Sequence, residues 1–363
     1  CTFVNSRDAA NLTLQKVWVD GFDGDADLLL PADTAVIDAD GSQNTSTAGE
    51  AVPASVTVPV LSGASVDLSE TLDGNTGSYT TELTCTDAAG LTYTSGELDG
   101  TYTMPAAAAD VTCTFTNTRT STGLTLTKTW TDAAPGDSVD LAIVGEAGTD
   151  TGANSGDGTT ADDATLTVYS GEVVDLSEAF YPGDADWYDT GLTCTAGDLT
   201  YTADELTAEL EITSTASPIT CTFTNDRRTA NVVVAKDIAP DTDGGLFDLS
   251  INGDLELADA GDGDATDPVS VLVGDPVSVS EAAGTGTDLA GYGSSLACDN
   301  GVVPNPNSGV AGGFDVPDTL ADGATITCTF TNTRKSAELT LTKDWVNGAT
   351  GDAVSLTASG DSG

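Results

Sequence analysis

The sequence predicts an all-β protein, a tandem row of β-sandwich domains of about 107 residues each. The first observation behind this is a repeat. The segment Cys113–Trp130, CTFTNTRTSTGLTLTKTW, recurs as CTFVNSRDAANLTLQKVW from Cys1, CTFTNDRRTANVVVAKD from Cys221 and CTFTNTRKSAELTLTKDW from Cys328. The spacings are 112, 108 and 107 residues, one small domain each. The second is pattern: short Val, Leu, Thr and Tyr runs alternate with polar residues, and no window holds a helical period. The third is punctuation, since Gly, Asp, Asn and Ser clusters separate about seven such runs per repeat, the number a sandwich uses.

Taken in order, each copy of the repeated segment is two alternating strands joined by a polar link. CTFTN closes one domain and LTLTKTW opens the next. The expected division is 1–7 as the closing strand of a preceding domain, 8–119, 120–228 and 229–335 as three full sandwiches, and 336–363 as the opening part of a following one. A chain that starts and stops inside a domain is expected to be part of something longer. Within the first repeat the strands are SVTVPV (55–60), SVDLSE (65–70), LTCT (83–86), LTYTS (91–95) and VTCTFTN (111–117). The Asp-rich stretches DGFDGDAD (20–27) and DADGSQNTSTAGE (38–50) read as solvated loops. The third repeat departs in detail: Ile238 stands where the others have Trp, and GVVPNPNSGVAGG (301–313) lengthens a loop.

Charge narrows the function. There are 58 acidic residues against 10 basic and no His, a formal −48. Such a chain repels nucleic acid and anionic lipid and attracts cations. No stretch reaches the roughly 20 apolar residues of a membrane span, so no membrane contact is expected within this segment. With no His, no recurrent nucleophile–base set and no cluster of soft ligands, an enzyme is not expected.

The cysteines pair off by position. Cys85/Cys113, Cys194/Cys221 and Cys298/Cys328 are separated by 28, 27 and 30 residues, and Cys1 is left over. One pair per domain reads as a disulfide and an oxidising, extracellular compartment. A structural metal site would need four ligands where each repeat has two. The expected metal entry is therefore none, with Ca²⁺ in the Asp-rich loops 20–27, 239–245 and 260–267 as the one cofactor to consider. None of these loops has EF-hand spacing.

The lysines are the unusual feature. Only five occur, and four occupy one position: Lys16, Lys128, Lys236 and Lys343. Alternation puts Lys128 on the same strand face as Leu124, Leu126 and Trp130, and its counterparts likewise. By the same rule Asn117, Asn225 and Asn332 share the face of Cys and Phe on the closing strands. Glu70, Glu178 and Glu281 share that of Val and Leu on SVDLSE, VVDLSE and PVSVSE. Lys, Glu and Asn are thus expected to meet in one core. Desolvation favours a neutral amine and a protonated carboxyl. The amine can attack the Asn amide while Glu shuttles the proton, giving a Lys–Asn isopeptide bond once per domain. A buried Lys–Glu ion pair, or a lysine facing solvent, would explain the pattern without that chemistry.

These repeats resemble the B-type (Cna-B, SpaA-like) domains of Gram-positive surface adhesins and pilins, through LTLTKTW, VDLSE or VSVSE, and TFTNT. The resemblance implies an immunoglobulin-like, prealbumin-like sandwich. It assigns the isopeptide pairs Lys16/Asn117, Lys128/Asn225 and Lys236/Asn332, with Glu70, Glu178 and Glu281 as catalysts. Asn5 and Lys343 would have partners outside the chain. The implied function is a repeat segment of an extracellular, cell-surface stalk, fibre or pilus-like appendage. Its partners are further repeats of the same chain, and other copies in a fibre. The alternative is an adhesin module whose loops bind a host or matrix ligand, for which Trp187 in YPGDADWYD is the one tryptophan off the core stripe. Arg7, Arg119, Arg227 and Arg334 end the closing strands where domains meet, either pairing with a neighbouring carboxylate or easing local acid repulsion. Asn11-Leu12-Thr13 and Asn44-Thr45-Ser46 match the short glycosylation sequon.

Overall fold

The computed structural model describes residues 1–21, 24–30, 42–48 and 54–359. Its contacts divide the chain into two units, Cys1–Arg227 and Arg228–Gly363. The first unit carries two sandwiches and the second carries one.

Each sandwich is built around the same four-stranded sheet. In the first repeat the order is Ser55–Leu61, opening strand Ala9–Val19, closing strand Val111–Arg119, then Tyr79–Cys85. The opening and closing strands run parallel, with Leu12 opposite Val111 and Trp18 opposite Asn117. The second repeat repeats this with opening strand Ser121–Thr131 and closing strand Ile219–Arg227. The third uses Thr229–Ala239 and Ala324–Arg334. A parallel pair needs a long crossover, and here the crossover is the rest of the domain.

The facing sheet holds the glutamate strand of each repeat: Ser65–Asp73, Val173–Phe180 and Pro276–Ala283. Alternation fills the space between the sheets with apolar side chains. Leu12, Leu14, Val66, Leu68 and Phe115 form one core, and Leu124, Leu126, Val174, Leu176 and Phe223 another. Burying such side chains contributes about 1.5–3 kcal/mol each.

Strand number exceeds the expected seven, with nine, ten and eight among the described residues of the three repeats. The additions lie where polar composition suggested loops. Strand Asp25–Leu30 begins inside the Asp-rich stretch 20–27, and Ser42–Thr47 lies inside 38–50. Residues 22–23, 38–41 and 49–50 of those stretches are outside the described residues. These strands pair with each other, and Asp25–Leu30 also pairs with the glutamate strand, so register with a neighbour outweighs weak intrinsic preference. Similarly, Ala311–Asp315 makes a strand of the end of the long loop 301–313. Among the described residues, helix is confined to three-residue turns such as Ala88–Gly90. Residues 1–8 and 335–359 contain no strand, and Leu339, Leu341 and Trp345 are exposed. The LTLTKDW segment has no middle or closing strand after it within these residues, and an unpaired strand is not stable alone.

Candidate functional site: a buried lysine, glutamate and asparagine

Lysine and asparagine come from adjacent strands of one sheet, and the glutamate reaches across from the other. Lys16, Glu70 and Asn117 are all buried, as are Lys128, Glu178 and Asn225, and Lys236, Glu281 and Asn332. Lys16 Nζ lies 2.6 Å from Glu70 Oε2, Lys128 Nζ 2.6 Å from Glu178 Oε2, and Lys236 Nζ 3.3 Å from Glu281 Oε2. The amines also sit over aromatic faces, Lys16 over Trp18 at 4.3 Å and Lys128 over Trp130 at 4.8 Å.

The asparagines are the anomaly. In all three repeats neither the amide oxygen nor the amide nitrogen of Asn117, Asn225 or Asn332 has a hydrogen-bond partner. Leaving a buried polar group unsatisfied costs about 1–3 kcal/mol, and here it recurs three times at one position. One oxygen of Glu70 and of Glu178, and both of Glu281, likewise lack a hydrogen-bond partner. Asn225 lies near enough to Glu178 to favour its charged form, though without a hydrogen bond of ordinary geometry.

Burial acts on the charges as the sequence suggests. It brings Lys16 and Lys128 down from 10.5 to about 8, against the opposing pull of Glu70 and Glu178. Lys236 is lowered for the same reason. Burial raises Glu178 above its ordinary value, with Lys128 opposing. A lysine near 8 has a substantial neutral fraction close to neutral pH, the form that is nucleophilic.

Two further residues border the site and escaped the sequence reading. Tyr93 and Tyr201 donate hydrogen bonds to the carbonyls of Thr81 and Thr190 at 3.0 and 2.8 Å, and each senses the nearby Glu70 or Glu178 charge. Their signal was present as the shared LTYT of residues 91–94 and 199–202, which the third repeat lacks.

Disulfides join Cys85 to Cys113, Cys194 to Cys221 and Cys298 to Cys328. Each links the closing strand to its neighbour at directly opposed positions. Cys1 is free and exposed. Asn5 and Lys343 are exposed too, and neither lies on a strand. Among the described residues no three acidic, His or Cys side chains converge as a metal site. In the 260–267 loop, Asp262 accepts from the Ile238 amide and Asp264 from the Gly261 amide. Trp187 is covered by the Arg227 guanidinium at 5.1 Å. The tryptophans expected on the core stripe are only half-buried at Trp18 and Trp130, because they cap the end of the sandwich against Tyr79 and Tyr188. Asn11 and Asn44 of the two sequons are exposed.

Models of the prealbumin-like fold domain of SpaA type match residues 21–119 in one case, and 123–227 and 258–334 in another. The chain belongs to this family. No curated protein matches it. Among solved structures it is similar to the TIE protein of Bacillus anthracis, with 11% identity and a TM-score of 0.37 over 92% of this chain and 59% of that one. It is also similar to the pilus adhesin SpaC of Lactobacillus rhamnosus GG in its open conformation, with 15% identity and a TM-score of 0.28 over 92% and 44%. The major pilin of Streptococcus pyogenes gives 17% identity and a TM-score of 0.31 over 62% and 99%. This prealbumin-like chain thus spans only about half the length of the first two. No helix among its described residues is long and apolar enough to cross a membrane.

Proposed function

We propose that this prealbumin-like chain is a repeat segment of an extracellular surface stalk or pilus-like fibre, each domain closed by a Lys–Asn isopeptide bond. The supporting observation is the triple recurrence of a buried Asn amide without partners beside a buried amine and carboxyl. The reaction removes that anomaly. The neutral Lys Nζ attacks Asn Cγ, an N–C bond forms, and the Cγ–Nδ2 bond breaks. The protonated Glu polarises the Asn carbonyl, and it carries the proton lost by Nζ to Nδ2, which leaves as ammonia. Rigid placement between two packed sheets supplies much of the rate. The step is single-turnover, so the protein is not an enzyme in the ordinary sense.

Mechanical consequence follows from the parallel pairing. Tension entering along Ala9–Val19 crosses from Lys16 to Asn117 and leaves at Arg119. Residues 17–116 are shielded, and the Cys85–Cys113 disulfide lies inside the shielded loop. Closing about 100 residues contributes roughly 4.7 kcal/mol in the chain-entropy account, and the disulfide about 3.5 kcal/mol more. An intact mass of the oxidised chain tests the reading: about 17 Da should be missing per bond, and peptides holding Lys128 and Asn225 should remain joined after digestion and reduction. A full mass with separable peptides would leave only a buried ion pair, which adds little net stability.

A further inference from the structure

The arginines that end the closing strands take up a second task, independent of the cross-links. Arg119 is buried, an unusual place for a guanidinium unless it is paired. Its Nε donates to the Ser170 carbonyl at 2.7 Å and its Nη1 to Glu146 Oε2 at 2.7 Å, both acceptors belonging to the following sandwich. Tyr169 lies under the guanidinium at 5.6 Å. The backbone joins in: Thr120 N donates to Ser78 O, Ser170 N to Thr120 O, and Ser78 N to Ser170 Oγ, each at 2.9 Å.

The receiving surface is rigid. Glu172 accepts from the amides of Glu146 and Tyr169, holding the hairpin and the turn together. Glycines permit the close approach. A Cβ at Gly77 would lie 2.5 Å from the Ser170 carbonyl, and one at Gly171, whose φ is +81°, would lie 2.8 Å from Gly77 N. The turn contact alone recurs: Arg7, exposed but at the same place in the repeated segment, donates through Nη2 to the carbonyl of Ser62 in the matching Ser62-Gly63 turn.

We propose that Arg119 is a plug for the Ser170-Gly171 turn of the repeat that follows it, and that the Arg119–Glu146 pair locks the sandwiches of residues 8–119 and 120–227 into one stiff piece. The recognised partner is a preceding repeat of the same kind, presented by its terminal Arg. Small sandwiches on a linker otherwise move relative to one another by default. Buried, bidentate use of Arg supplies direction that a Lys could not.

Spin labels at Asp67→Cys and Glu209→Cys, two exposed positions, in the full oxidised chain with Cys1→Ser, read this directly by pulsed dipolar spectroscopy. One narrow distance distribution is expected. Arg119→Ala should broaden it about two-fold or more, as for an unlocked linker, and Arg7→Ala should leave it unchanged. Glu146→Gln serves where Arg119→Ala fails to fold, since the Glu146 side chain is 30% exposed and outside the cores. A distribution already broad in the parent, or unchanged in every Arg119 and Glu146 variant that folds, would overturn the proposal.

Discussion

In the second repeat, Trp130 lies over Lys128 and donates from its indole nitrogen to Asn154 at 3.1 Å, while Val139 lies on strand Ser138–Gly145 of the facing sheet. In the third repeat the tryptophan position is Ile238 and the valine position is Phe247, whose ring takes up the lysine at 4.3 Å. A large–small pair has become a small–large one at these two positions, while Phe180, opposite Val139, has become Ala283, opposite Phe247. The Lys–Glu contact is also looser in the third repeat. Lys236 stands 3.3 Å from Glu281 rather than 2.6 Å, and it donates to the backbone carbonyls of Phe330 and Asp237 at 3.0 and 3.2 Å. The comparison teaches that what is retained is an aromatic face and a buried carboxyl around the amine, while the strand supplying the ring is free to change.

The sharpest way to break this comparison is to remove the carboxyl. In chains also carrying Asn225→Ala or Asn332→Ala to keep lysine unreacted, Glu178→Ala should cost about 3–5 kcal/mol by stranding a buried charge. Glu281→Ala should cost less, because Lys236 keeps its two carbonyl acceptors. Hydrogen exchange of the closing strands reads each repeat separately. Equal losses would contradict the distinction.

A control of similar size should not distinguish the repeats. Replacing Cys194 and Cys221 by Ser, or Cys298 and Cys328 by Ser, should each cost about 3.5 kcal/mol in those unreacted chains, since the loops are nearly equal in length. A clear inequality would show that the disulfides take a repeat-specific part in the site.

The aromatic exchange predicts a coupling. Phe247→Val should destabilise the third repeat, and adding Ile238→Trp should recover part of the loss, with an interaction energy of about 0.5–3 kcal/mol across the cycle. Simple additivity would mean that the two positions do not share the space over Lys236.

The smallest effect is one of rate. The reactive pair holds a single proton shared between amine and carboxyl. Acid below the raised Glu178 value adds a second and removes the nucleophile; alkali above about pH 8 takes the last and removes the acid. Ammonia loss in the second repeat on refolding should therefore follow a bell-shaped profile with its upper limb near pH 8. A rate climbing steadily to pH 10 would exclude the protonated Glu178 from the step.

Much of this was legible beforehand because alternation is a local rule. Period-2 patterning places Lys128, Glu178 and Asn225 on inward faces without knowledge of which strands are neighbours, and five lysines in so acidic a chain draw the eye to one position. The extra strands Asp25–Leu30 and Ser42–Thr47 were not legible, because their polar residues acquire strand structure from pairing rather than from propensity. Nor was the exchange of Trp for Ile with Phe247; pairing of Arg119 with a neighbouring carboxylate was one of two readings, but its acceptors, Glu146 and the Ser170 carbonyl, were not legible. Composition and spacing determined the repeat, the inward residues and the cysteine pairs, since each depends on the chain's own periodicity. Which ring covers each amine, that the asparagine amides lack partners, and where the arginine docks were decided only in three dimensions. Those depend on distances between segments far apart in sequence, which no local pattern encodes.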